Sequence, residues 1–316
     1  MRVFPRRVAL ASCLVCTSTL ALAQTPPATQ APARPAIPPA PPAINQADGS
    51  FTTSDGLKIH YITAGTGGSW VVLIHGYSDS AQRMWFNTGI AQEIAKTHLV
   101  VALDNRNHGQ SDKPQPGGSG NARDVVELMD HLHIRKAHIH GYSMGGGMVG
   151  QLLGMIPDRF ITAGFGGSGM TETDPELRAK AAALDEALPK ATGVDAAAMD
   201  RFRARVAAAR PAGAAAAAPA AGAARGRGTA PATTQGTPAS GSNVDISMLS
   251  IPIMCVNGSF DNPYSKSLRL WREAKIFENV ILPNRTHLTA IGVGAQTPKL
   301  YIDSISAFIN AYDEKP

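Results

Sequence analysis

Cysteine is scarce, with three in 316 residues, at positions 13, 16 and 255. The first two lie in an N-terminal apolar run that reads as a removable leader, which leaves Cys255 alone. A single cysteine forms no intramolecular disulfide, so a disulfide-stapled fold is excluded, and Cys255 reads as a small apolar residue of a buried strand. Charge is also sparse, at 17% of residues against 44% hydrophobic. That balance excludes a disordered or highly charged chain. The formal net charge of +5 falls to +2 once Arg2, Arg6 and Arg7 leave with the leader. Aromatic residues make up 6% of the chain and no basic stripe is interleaved with them, which argues against a nucleic-acid partner. The apolar run from Val8 to Leu22 is short and broken by Ser, Thr and Cys, so no integral membrane span is expected there.

What is present begins with that leader. A basic start, an apolar run and Ala-Leu-Ala before Gln24 describe a secretory signal peptide, residues 1–23, and hence an exported protein, periplasmic or secreted. Leu-Ala-Ser-Cys at 10–13 also matches a lipoprotein cleavage site, with Cys13 as a lipid anchor; the short apolar stretch before it makes this the weaker reading. Residues 24–48 are rich in Pro and Ala, with eight prolines between 26 and 42. Such a run favours extended, solvated chain and reads as a linker. A second biased stretch, 207–243, is dense in Ala, Gly and Pro and does not bury enough apolar area to offset its ordering entropy.

Between these stretches the pattern alternates. Strand-like runs at 57–63, 70–75, 98–104, 137–140, 160–165, 251–256 and 280–282 are separated by helical periodicity at 91–96, 124–132, from about 143 to 156, and from about 298 to 312. Apolar strands alternating with helices predict an α/β fold, a mainly parallel central sheet with helices on both faces. The core is divided, 49–170 and 249–316, by a small helical cap at 171–248 that carries the low-complexity insert 207–243. Active sites in such sheets lie beyond the carboxyl ends of the strands, so the residues following each strand are the ones to inspect.

Gly141-Tyr-Ser-Met-Gly145 follows one apolar strand and opens a helix, the context in which a G-x-S-x-G turn presents a serine nucleophile. The two glycines relieve backbone crowding in a sharp strand-to-helix turn. Ser143 then sits at a helix start, where free N–H groups favour adjacent negative charge. With His75-Gly76-Tyr77 ending an earlier strand, the chain from 49 to 316 resembles the α/β-hydrolase family. That resemblance implies an oxyanion hole from the backbone N–H groups of Tyr77 and Met144, with His75 ordering its loop. Asp104-Asn-Arg-Asn-His-Gly-Gln-Ser-Asp112 is similar to a structural loop of the family. There Asn107 stands in place of glycine, which tolerates a left-handed backbone nearly as well, and Asp104, His108 and Asp112 are left out of the chemistry.

The resemblance also implies that Asp261 and His287, each in a loop after a strand, complete a triad in the order Ser, acid, His. His287 would move the Ser143 proton while Asp261 fixes its tautomer. Asp261 as a helix-capping residue, and Glu172 or Asp174 as the acid, stand as alternatives. A neutral histidine base implies activity rising through roughly pH 6–8. His131, His133, His138 and His140 read as core or surface residues, so no metal and no cofactor are expected. No carboxylate replaces Ser143, which argues against chemistry through an aspartyl ester. The reading is a serine hydrolase of small to medium carboxylic esters, since the cap has few large apolar residues. A carbon–carbon bond hydrolase or cofactor-free perhydrolase on the same triad, or a catalytically weak ligand-binding protein, stand as alternatives.

Overall fold

The computed structural model describes residues 44–209, 244–293 and 296–313, with main chain alone at 194 and 205–209. The signal-peptide, lipid-anchor and most of the linker and insert assignments lie outside the described residues. Eight strands form one sheet: β1 (Gln46–Thr52), β2 (Lys58–Ala64), β3 (Trp70–Ile74), β4 (Leu99–Leu103), β5 (Ala137–Tyr142), β6 (Phe160–Gly166), β7 (Ile253–Gly258) and β8 (Phe277–Leu282). Their spatial order is β1-β2-β4-β3-β5-β6-β7-β8. β2 runs antiparallel to both β1 and β4, and every other pairing is parallel.

Strand β1 begins at Gln46, inside the stretch assigned to linker. Its sequence, QADGSFT, has one large apolar residue and no alternation to read. Pairing along its whole length with β2 makes it a strand. Its Phe51 packs into the core.

Side-chain alternation sends neighbouring residues of each strand to opposite faces, and the core divides accordingly. Val72, Ile74, Val101, Leu103, Ile253 and Cys255 face one layer, built with α2 (Ala122–His131), α3 (Met144–Met155) and α6 (Pro263–Glu273). Val71, Leu73, Val100, Ala102, Met254 and Val256 face the other, which holds a π-helical turn (Gln82–Phe86), α1 (Ile90–Ile94) and α7 (Lys299–Ala311). Strands β3 and β4 are buried almost throughout, as a sheet covered on both faces requires.

Two helices, α4 (Pro175–Ala187) and α5 (Gly193–Ala209), stand between β6 and β7. α4 is capped by Asp174, whose carboxylate accepts from the N–H groups of Glu176 and Leu177. It reaches α6 through Asp185, whose two oxygens accept from the N–H groups of Tyr264 and Ser265 at 2.9 and 2.8 Å. These are orphan donors of a helix start, and a carboxylate there also meets the positive end of the helix dipole. α5 continues to Ala209, three residues into the stretch assigned to the insert.

Candidate active site

The turn between β5 and α3 is built around two missing side chains. A Cβ on Gly141 would lie 2.2 Å from the Gly145 carbonyl oxygen, and one on Gly145 would lie 2.1 Å from the Ile74 carbonyl oxygen. Only glycine fits at either point, and the strand passes directly into the helix. Ser143 between them has φ 55° and ψ −112°, a sparsely populated conformation costing on the order of 1–3 kcal/mol. The Ser143 N–H donates to the Gly166 carbonyl at 2.8 Å, which anchors the strained residue to the end of β6.

Three strand ends then converge. His287, in the loop after β8, has Nε2 2.8 Å from Ser143 Oγ and Nδ1 2.9 Å from Asp261 Oδ2. Asp261 follows β7 and is nearly buried. The two alternative acids are engaged elsewhere. Glu172 forms a two-pronged pair with Arg272, at 2.6 and 3.1 Å, and Asp174 caps α4.

The histidine loop is braced from below. The Tyr142 hydroxyl, on the residue before the serine, donates to the His287 carbonyl at 2.6 Å. Thr286 and Thr289 each accept, through a side-chain oxygen, from the other's N–H.

Lys266, on the first turn of α6, is a further participant that motif reading missed. Its ammonium lies 2.6 Å from Asp261 Oδ1, so the carboxylate is shared between a lysine and the histidine. Burial acts to raise the Asp261 pKa, but the charges and hydrogen bonds of Lys266 and His287 outweigh it and hold the carboxyl below its usual range. The sequence offered one signal, a lysine five residues beyond Asp261 at a helix start.

Tyr77 and Met144 stand where the family resemblance put them, in the loop after β3 and at the first position of α3. First-turn N–H groups of a helix have no intrahelical partner. The loop holding Tyr77 is set by His75, which is fully buried. Its Nδ1 donates to the Gly76 carbonyl at 2.7 Å while Nε2 accepts from the Asn105 N–H at 3.0 Å. Burial, with the nearby His108 adding to it, pulls the His75 pKa down to about 4 against the opposing Gly76 bond and Asp104 charge. Asp104 supports the same loop, accepting from the Ala81 and Gln110 N–H groups and from His60. Asn107 is left-handed, φ 72°, as its place in the motif requires.

A cavity of about 40 Å³ opens at Ser143, walled by Tyr77, Met84, Tyr142, Phe202 and His287 together with Leu288, Ile291 and Val293. The last three belong to the histidine loop, a wall that the sequence reading did not name. Phe202 of α5 lies over the imidazole, ring centres 5.7 Å apart. A larger adjoining cavity of about 250 Å³ shares Asp79, Arg83, Met84, Ile291 and Val293 with it.

The chain is similar to several known proteins. Part of the chain is 36% identical, over 134 residues, to the dihydrolipoyllysine-residue acetyltransferase component of the acetoin cleaving system of Cupriavidus necator; the match covers 39% of this chain and 35% of that protein. Another match is to the 2-hydroxy-6-oxononadienedioate/2-hydroxy-6-oxononatrienedioate hydrolase of Paraburkholderia xenovorans, 37% identical over 95 residues, 28% of this chain and 32% of that protein. The chain thus spans about a third of the length of the curated relatives it matches. Among solved structures, a thermophilic esterase from Thermogutta terrifontis superposes with a TM-score of 0.55 at 18% identity, over 85% of this chain and 99% of that one. The sequence model of the alpha/beta hydrolase fold matches residues 69–272. With the sheet order, the glycine-relieved turn and this match over more than half its length, the chain belongs to the alpha/beta hydrolase fold family.

Proposed function

We propose that this enzyme is an exported serine hydrolase that cleaves carboxylic esters of small to medium size through an acyl-Ser143 intermediate. The observation that carries the reading is the unbroken relay from Ser143 Oγ through His287 to Asp261, at 2.8 and 2.9 Å. Serine alone is a weak nucleophile, and an imidazole in hydrogen-bond contact activates it. In this mechanism His287 takes the Ser143 proton as Oγ attacks the ester carbonyl. The resulting oxyanion is held by the N–H groups of Tyr77 and Met144, each such donor lowering the barrier by roughly 3 kcal/mol. His287 returns the proton to the departing alkoxide. Water, deprotonated by the same imidazole, then releases the acid and restores Ser143.

Substrate size rests on the walls. A cavity of about 40 Å³ beside Ser143 suits a short acyl group better than a long chain. The same triad supports carbon–carbon bond hydrolysis and perhydrolysis, and the relative in Paraburkholderia xenovorans is named a 2-hydroxy-6-oxononadienedioate hydrolase.

A series of p-nitrophenyl esters from acetate to palmitate tests the reading. The expected outcome is fastest turnover at the short end, and Ser143→Ala should abolish it with the circular dichroism unchanged. A maximum at palmitate would overturn the size preference, and an active Ser143→Ala would overturn the nucleophile. Export rests on residues 1–23. The mature chain should begin at Gln24, whereas a lipid-modified Cys13 at its N-terminus would assign a lipoprotein.

A further inference from the structure

At the opposite ends of the strands lies a cluster that ester chemistry does not use. His98 immediately precedes β4, His138 is the second residue of β5, and Asp313 follows α7. Each offers one ligand atom, and these atoms lie within 4.8 Å of one another. Both imidazoles are buried, and the Asp313 side chain is one-quarter exposed. The structure turns His140 to the Tyr301 hydroxyl and brings His138 to residues 40 positions before it and 175 after it.

Three features point to an ion between them. First, His98 Nε2 is buried and makes no hydrogen bond. Asp313 Oδ2 is 3.4 Å from it, and Asp313 Oδ1 is 3.3 Å from His138 Nε2. Charge-assisted N–H···O bonds are shorter, roughly 2.7–2.9 Å. Ligands about 2.0–2.1 Å from a tetrahedral centre stand about 3.3 Å apart, close to the distance from each imidazole to the nearer Asp313 oxygen, and the three ligand atoms lie within 4.8 Å of one another.

Second, the other ring nitrogens are occupied. Thr97 Oγ lies 2.8 Å from His98 Nδ1 and donates its own proton to Asn310 Oδ1. It therefore accepts from Nδ1–H, which leaves the Nε2 lone pair facing the cluster. Thr162 Oγ lies 2.9 Å from His138 Nδ1. Such outer contacts orient metal-binding imidazoles. Third, the carboxylate is itself held, accepting from the Ser69 hydroxyl at 2.5 Å. Its partial exposure gives an entry path and room for water.

We propose that His98, His138 and Asp313 bind one divalent zinc-type ion, with water as the fourth ligand. Two imidazoles and a carboxylate suit zinc better than the all-oxygen preferences of calcium or magnesium. This departs from the sequence expectation of no metal. The ion fastens the end of α7 to the amino ends of β4 and β5. Ser143 lies five residues further along β5, about 16 Å away, so the ion acts on stability and leaves the ester reaction alone.

The test is calorimetric titration of untagged, chelator-treated full chain with zinc chloride, with the melting temperature followed in parallel. Wild type should bind one ion per chain and melt higher when loaded, and cobalt should give the visible bands of a four-coordinate site. Asp313→Ala should lose binding by at least about a hundredfold, and Thr162→Val, which keeps all three ligands, should weaken it by roughly 10–100-fold. The Thr162 variant keeps the proposal open to refutation if the ligand variants fail to fold. Absence of saturable binding by wild type, or equal affinity in wild type, Asp313→Ala and Thr162→Val, overturns it.

Discussion

At the scale of single residues, the acid of the site is the least ordinary member. Asp261 divides its charge between His287 and Lys266. The cation beside it helps hold the carboxyl ionised and fixes the orientation in which it faces the imidazole. Replacing Lys266 by Met should lower kcat with KM little changed, while Lys266→Arg, which keeps a cation beside Asp261, should retain most of the activity. A purely structural lysine would lower stability in the Met variant without changing kcat of the folded protein. The meeting of Ser143, Asp261 and His287 was implied by the family resemblance, and their places after strands fit it, because strand ends share one rim of the sheet. Lys266 was not, since a lysine one turn into a helix looks like any solvated charge until the neighbouring loop is seen to fold against it. Tyr142 was hidden for a similar reason. Its position inside the serine motif admits many residues, and only its bond to the His287 carbonyl gives it a purpose.

Among the elements, α6 matters most to the site, because it carries Lys266 and packs beside the loop of Asp261. Its start is fixed by Asp185 from α4, two N–H groups on one carboxylate. Asp185→Ala should lower the unfolding free energy by about 1–2 kcal/mol, read by urea titration, and should reduce kcat by loosening α6 under Asp261. Unchanged stability would mean that Asp185 does not anchor the helix. The start of α6 was legible only as the helix-capping alternative for Asp261, and the length of the helix was not. It begins at Pro263 after Asn262 in left-handed conformation, φ 50°, and its first free N–H groups are satisfied from a distance by Asp185. The strands β2 to β8 were legible, several of them as continuous apolar runs. β1 was not, because pairing with β2 supplies what its composition lacks.

For the whole molecule, the buried histidines set the response to acid. His75 and His140 lie in the folded interior with pKa values pulled down by burial to about 4 and about 3 from an ordinary 6.5. Below pH 6.5 the unfolded chain takes up protons that the folded chain refuses, so stability falls as pH falls. The slope is about 1.4 kcal/mol per pH unit for each histidine over the window down to their folded values. The paired carboxylates Asp55, Glu172 and Asp261, whose pKa values are lowered, withdraw their support further into acid. Melting temperature should therefore drop between pH 6.5 and 4.5, and His140→Gln should make the slope shallower. A flat profile in the wild type would mean that these imidazoles titrate normally in the folded protein.

The central claim concerns a nucleophile poised by its neighbours, and a fluorophosphonate probe followed by mass spectrometry of the labelled peptide reads that directly. One adduct per chain on Ser143 is the result the geometry leads to, with labelling lost in Ser143→Ala and slowed by orders of magnitude in His287→Ala. A wild-type protein left unlabelled, or modified at another residue while Ser143 stays free, would contradict it.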